Sequence, residues 1–311
     1  MRRRLLAALF VGLPLAGMKT ALADDASCTR IKAADLGWTD IALTTAVATT
    51  VLKAMNYEMK SSLLGLSVTY ASLKDGQVDV FLGNWRPAQN IEFKQFFDKK
   101  WVDVLTTNLS GAKYTLAVPD YVAAAGVKSF EDLARFADKF GNKIYGIEPG
   151  TNQPLIDMVA EGSHGLGGWT VVESSEQAML AQVKRAVDRK DWIVFLGWQP
   201  HPMNLNLKME YLSGGDQEFG PSYGGSTVWT LTRPGYSTTC PNVARFFTNL
   251  VFSVDQENEG MKAMLDEGAT GEEAATAMIR KYPQNLDKWL DGVTMLDGSP
   301  ALAKVKEELL K

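Results

Sequence analysis

Short apolar runs alternate with longer amphipathic ones along this chain, and glycine or proline marks most of the boundaries. The pattern predicts strands over 29–34, 57–64, 78–82 and 101–106, separated by helices over 41–57, 66–74 and 91–99. A second series follows the same logic. Strands are expected over 113–118, 143–147, 170–173 and 192–196, with helices over 129–140, 154–161 and 175–189. Strand-then-helix alternation builds a parallel sheet with helices on its faces, so the fold class is α/β. The small, polar stretch 108–112 reads as a crossover between two domains. The Gly-rich stretch 214–225 reads as a loop near a hinge and 227–232 as a late strand. Beyond residue 240 the chain reads as mainly helical.

One pattern occurs twice. Residues 79–87 read Asp-Val-Phe-Leu-Gly-Asn-Trp-Arg-Pro, and residues 193–200 read Ile-Val-Phe-Leu-Gly-Trp-Gln-Pro. In each, a buried strand is expected to end at Gly83 or Gly197, with Pro87 or Pro200 preventing its resumption. Trp85 and Trp198 would then stand just past strand ends, where open α/β sheets bind ligands. Two copies suggest two similar lobes. The alternative is that both rings are core plugs, since aromatics mostly serve burial.

The length of 311 residues suits about two domains, and the composition suits a packed core. Arg2, Arg3 and Arg4, an apolar run to Met18 and the small-x-small Ala21-Leu22-Ala23 read as a signal peptide over 1–23. Its removal takes the formal net charge from −4 to −8. No later run reads as a membrane span, so the mature chain is expected free in the periplasm. In that oxidising compartment Cys28 and Cys240 are expected to form a disulfide, with two free thiols as the alternative. The closed loop exceeds 100 residues, worth roughly 4–5 kcal/mol in the chain-entropy model. The bond brings the C-terminal third back to the first domain. The domains are therefore 24–111 with 213–311, and an inserted 112–212.

No basic patch marks a nucleic-acid surface. Enzyme readings fare poorly. The two histidines, His164 and His201, sit in no recognisable constellation, and there is no Gly-x-Ser-x-Gly elbow, His-Glu-x-x-His or P-loop. No metal site or cofactor is expected. His201 reads as solvent-facing or structural, Arg86 as surface, and Trp289 as packing. What remains is a set of aromatic residues at strand ends: Trp38, Trp85, Tyr114 and Trp198. A trimethylammonium group donates no strong hydrogen bond, and aromatic faces attract it without one, at roughly 0.5–2 kcal/mol each. A sugar site also stacks aromatics, and it is the alternative to a cation cage.

Five segments carry a resemblance over the whole mature chain: Gly37-Trp38-Thr39-Asp40, Phe81 to Pro87, Lys113 to Pro119, Gly146-Ile147-Glu148-Pro149-Gly150 and Phe195 to His201. The chain resembles the periplasmic glycine betaine/choline-binding proteins of ABC transporters, most of all their choline-binding members. The resemblance implies a two-lobed, type II-like periplasmic binding protein, each lobe a sheet flanked by helices, with the ligand in the interdomain cleft. It implies Trp38, Trp85, Tyr114 and Trp198 as the cage, with Asp40 close to the cation. It also implies an Asn contact to the ligand hydroxyl from the loop after Glu-Pro-Gly. That loop is shortened here; Asn152 is the choice, with Thr151 as its rival. Asp40 favours choline, because betaine's own carboxylate would meet repulsion beside it. Asp40 is also a common residue at a helix start, and the two roles can coexist. The expected partners are choline, acetylcholine as a further ligand, and the permease subunits, with the receptor a monomer. A glycine betaine or carnitine receptor is the alternative within the class. A secreted hydrolase of choline esters is the alternative outside it, and it lacks a visible nucleophile and base.

Overall fold

The computed structural model describes Asp24 and residues 26–311; the signal peptide read over 1–23 lies outside the described residues. The described strands are β1 (Arg30–Asp35), β2 (Glu58–Leu63), β3 (Val80–Arg86), β4 (Asp103–Pro119), β5 (Lys143–Tyr145), β6 (Thr170–Val172), β7 (Phe195–Gln199), β8 (Met209–Tyr211) and β9 (Gly225–Thr232). They form one sheet in the order β2-β1-β3-β9-β4-β7-β5-β6, with β8 also on β4. Two parallel groups emerge, β2-β1-β3 and β7-β5-β6, as strand–helix alternation requires. The antiparallel strands β4 and β9 join them. The fold is a two-lobed α/β protein.

The crossover expected at 108–112 is not a loop. β4 runs 17 residues straight through it. The polar residues there are satisfied inside the sheet: the buried Asn108 side chain donates to the Leu82 carbonyl at 2.8 Å and to Thr230 Oγ1 at 3.0 Å. Three register shifts against β9 absorb the irregular residues. Lys113 is the changeover point, paired with Gly225 of β9 on one side and Gln199 of β7 on the other.

The repeated segments differ from expectation in a related way. Gly83 and Gly197 do not end their strands; they lie within β3 and β7. Their role is close packing. A Cβ on Gly83 would fall 2.5 Å from Ile41 Cδ1, and one on Gly197 would fall 3.0 Å from the Ala117 Cβ. Trp85 and Trp198 are each the penultimate strand residue, and the chain turns away at cis Arg86–Pro87 and cis Gln199–Pro200. Elsewhere, the helix expected over 91–99 is two short ones, Ala88–Glu92 and Lys94–Asp98, and the expected loop at 214–225 contains two single turns.

Helix Thr39–Ala54 follows β1 and is buried on more than one face. Its Ala and Thr residues permit this. Thr44, Thr49 and Thr50 return their hydroxyls to carbonyls four residues back, so burial leaves them bonded. Helices Val254–Leu265 and Gly271–Lys281 pack on it, bringing the C-terminal third onto the β1 group. Cys28 and Cys240 form the expected disulfide, with Cα atoms 5.6 Å apart. Beside it, Asp24 accepts the Asn242 N–H at 2.7 Å and so caps helix Pro241–Asn249. Trp289 is buried against Phe252 and serves packing.

Candidate ligand-binding cleft

A cavity with about 470 Å³ of empty space, counting its mouth, lies between the two strand groups. The β1 side contributes Trp38, Asp40, Leu66, Trp85, Ala88, Gln89 and Glu92. The crossing strand β4 contributes Tyr114. The β7 side contributes Ile147, Thr151, Pro154 and Trp198. Five of the six predicted ligand residues therefore meet in one place: Trp38, Asp40, Trp85, Tyr114 and Trp198. Sheet register explains part of this. Tyr114 pairs with Trp198 across β4 and β7, and Trp85 pairs with Val228 one strand further along.

The rings are held by their polar ends. Trp85 Nε1 donates to Asp40 Oδ2 at 3.0 Å, and Trp38 Nε1 donates to Glu148 Oε2 at 2.8 Å. Trp85 and Tyr114 stand with centroids 6.2 Å apart and planes tilted by 51°. Tyr114 is backed by Phe219 at 5.5 Å, and Trp198 by the His201 ring at 5.0 Å. Fixing the rings in this way limits the entropy that a ligand must remove.

The lining is acidic. Burial, with the nearby Glu176 charge adding, raises the Asp40 carboxyl from 3.8 to about 7. Burial and then Asp157 raise Glu92 to about 7. Burial also raises the Tyr114 phenol, which stays neutral. No lysine, arginine or histidine lines this cavity. Such a site favours a cation that brings bulk and charge together. Among the described residues no group of acidic, His or Cys side chains is arranged to hold a metal ion.

Asn152 is the predicted residue that the structure does not bring to the cavity. Its side chain is fully buried, accepts the Ile147 N–H at 2.8 Å, and donates to the Ile147 carbonyl at 2.9 Å and to Glu173 at 2.9 Å. Its amide braces the Glu148–Pro149–Gly150 turn and ties it to Glu173. Thr151 lines the cavity instead, its hydroxyl donating to the Glu148 carbonyl at 2.6 Å. Arg86 is not a surface residue. It lies half-buried with its guanidinium 4.0 Å from the Trp229 ring centroid, and Nε donates to Asn84 Oδ1 at 2.9 Å. Of the two readings of His201, solvent-facing or structural, the structure gives the structural one: the ring is buried and bonded to the Met203 N–H.

Sequence reasoning missed Gln89, Glu92, Glu148 and Glu176. Gln89 and Glu92 are three apart, on one face of a short helix after a proline, a signal present in the chain. Glu148 lies within the segment Gly146 to Gly150, where nothing in the local sequence gives it a role. Glu176 follows the N-cap Ser175 and reads as an ordinary first-turn acid, so only the tertiary fold exposes its position.

The lobes, the cleft and the aromatic lining define a two-lobed substrate-binding protein. Residues 29–281 match the family model described as the substrate binding domain of the ABC-type glycine betaine transport system, and the chain belongs to that family. It is a receptor, as the family is, and not an enzyme. A solved ABC-transporter choline-binding protein in complex with choline is 50% identical, covers 92% of this chain and 100% of its own, and superposes with a TM-score of 0.90. A choline-binding protein in an unliganded semi-closed conformation is 51% identical over 91% of this chain and 99% of its own, with a TM-score of 0.83. Lactococcal OpuAC in its closed form with glycine betaine is 27% identical over 84% of this chain and 98% of its own, with a TM-score of 0.75. Proteins of this family act outside the cytoplasmic membrane. No helix among the described residues is long and apolar enough to cross one.

Proposed function

We propose that this protein is a periplasmic choline receptor that hands its ligand to the transmembrane subunits of an ABC importer. The observation carrying the reading is the cavity itself: three tryptophans and a tyrosine around two carboxyl groups, with no cationic side chain in the lining. A trimethylammonium meets aromatic faces worth roughly 0.5–2 kcal/mol each, and Asp40 supplies the countercharge. A ligand that carries its own carboxylate, such as glycine betaine, would meet Asp40 and Glu92 without a basic receptor for that carboxylate. Trp38, Trp85, Tyr114 and Trp198 form the cage in this reading, and Thr151 replaces Asn152 as the residue beside the ligand hydroxyl. Acetylcholine is a second ligand, and the receptor works as a monomer. The lobes are 24–111 with 213–311, and 112–212, hinged where β4 changes partners.

Calorimetric titration with choline, acetylcholine, glycine betaine and carnitine tests the proposal. Choline is expected to bind most tightly. Tighter binding of betaine than of choline would overturn the Asp40 argument, and hydrolysis of acetylcholine would overturn the receptor reading.

A further inference from the structure

Behind the cage lies a second set of carboxylates that does not touch the cavity. Glu176 opens helix Glu176–Arg189 and is fully buried. Its Oε2 accepts the Thr39 N–H at 3.2 Å, and its Oε1 accepts the Thr39 hydroxyl. The same Oε1 lies 3.3 Å from His201 Nε2. His201 Nδ1 accepts the Met203 N–H at 3.0 Å, which assigns the proton of the neutral ring to Nε2, facing Glu176. Glu148 completes the set: Oε1 accepts the Glu176 N–H at 2.8 Å while Oε2 takes the Trp38 indole N–H.

Trp38 and Thr39 follow β1. Glu148, Glu176 and His201 follow β5, β6 and β7. The bonds from Trp38 and Thr39 therefore run from one lobe to the other. Thr39 begins a 16-residue helix whose own N-cap, Trp38, offers no side-chain acceptor. The exposed donors and positive end of that helix call for an anion. Asp40 in the first turn meets part of that demand, and the carboxylate that the Thr39 donors receive belongs to the opposite lobe.

We propose that Glu176, supported by Glu148, is the closure latch of the receptor. The two are positioning residues whose cross-lobe bonds exist only when the cleft is shut, so part of the ligand's affinity comes from contacts the ligand does not make. The inference rests on the receptor reading above. It differs from that reading in locating the closing energy behind the cage. Opening the lobes returns Glu176 and the Thr39 donors to water, where each finds a solvent partner. The latch thus contributes to the difference between open and closed forms and little to the stability of either lobe.

The test uses the full mature chain and Glu176→Gln, which keeps an acceptor but removes the charge. The closed-to-open ratio without ligand is read by energy transfer between labels at Val68→Cys and Ile156→Cys, both exposed sites on opposite lobes. It should fall about tenfold, the factor expected for a charge lost at a helix end. The choline Kd should rise by a similar factor, mainly through faster dissociation, while the unliganded melting temperature holds. Thr39→Val, which removes one donor and keeps the shape, should give a smaller loss in the same direction and stands in if the first variant does not fold. An unchanged closed fraction in both variants overturns the latch, as does an unliganded melting temperature that falls as far as the liganded one. If no quaternary ammonium ligand binds the wild-type chain, the receptor reading fails, and the ligand-free transfer measurement still decides the latch.

Discussion

Replacing Asp40 by Asn should have opposite effects on the empty and the occupied cleft. With the lobes in contact, the Asp40 carboxyl is buried, and burial pushes it up from 3.8 to about 7. That difference corresponds to on the order of 4 kcal/mol at pH 8, an upper bound on the cost of shutting an ionised, unpaired Asp40 away from water. The sign follows from the direction of the shift. A carboxyl raised by closure favours the closed form while it is protonated, and this help is lost as pH rises from about 4 to about 7. Acidifying the unliganded receptor from pH 8 to pH 5 should therefore increase its closed fraction at least several-fold. In Asp40→Asn the closed fraction should be high throughout and much flatter with pH; Glu92, raised in the same direction, leaves a residual slope. Choline binding should respond oppositely at pH 8. The bound cation supplies the charge that Asp40 lacks, so the variant loses about 1–2 kcal/mol of affinity. Betaine, with its own carboxylate, should lose less. Lobe-to-lobe energy transfer across this pH range, with calorimetry at its alkaline end, measures both. A closed fraction that stays constant or falls on acidification in the wild type, with Asp40→Asn behaving the same way, would refute the reasoning.

Three further outcomes are expected. Trp85→Ala and Trp198→Ala should each cost more than about 1 kcal/mol of choline affinity by titration, the loss of one aromatic face and its burial; unchanged affinity would assign those rings to packing alone. Thr151→Ala should weaken choline with little change in melting temperature. Asn152→Ala should lower the melting temperature, since it strands buried partners on Ile147 and Glu173 at about 1–3 kcal/mol; the reverse pairing of effects would restore Asn152 as the ligand reader. Glu92→Gln should weaken choline and strengthen glycine betaine in the same titration series, and parallel shifts would remove Glu92 from the discrimination.

Much of the fold is legible in the chain because local pattern and global structure agree there. The strand–helix alternation marks both parallel groups, and the repeated Phe-Leu-Gly segments mark both walls of the cleft. The failures have physical causes. Residues 108–112 look like a linker because small polar residues suit turns, yet a strand paired with β9, with the Asn108 side chain bonded to Leu82 and Thr230, satisfies them equally well. Gly83 and Gly197 look like exits, but their role is set by what lies across from them, Ile41 and Ala117, far off in sequence. Asn152 and Thr151 are adjacent, and nothing local says which one faces inward. Glu176 is least legible of all, because its partners Thr39 and His201 lie in other segments and meet it only when the chain is assembled.

The position of β9 has a consequence for how the molecule is made. β9 lies between β3 and β4, and those two strands do not pair with each other. A chain emerging N-terminus first presents β3 and β4 long before residues 225–232 exist to fill the gap. For that interval each has a bare edge of unpaired N–H and C=O groups, the feature that invites strands of other chains. The segment containing β5, β6 and β7 needs no such late arrival among its own parallel partners. Assembly should therefore begin in the middle of the sequence, with the ends completed last. Until β9 arrives, the edges of β3 and β4 stay open to strands of other chains.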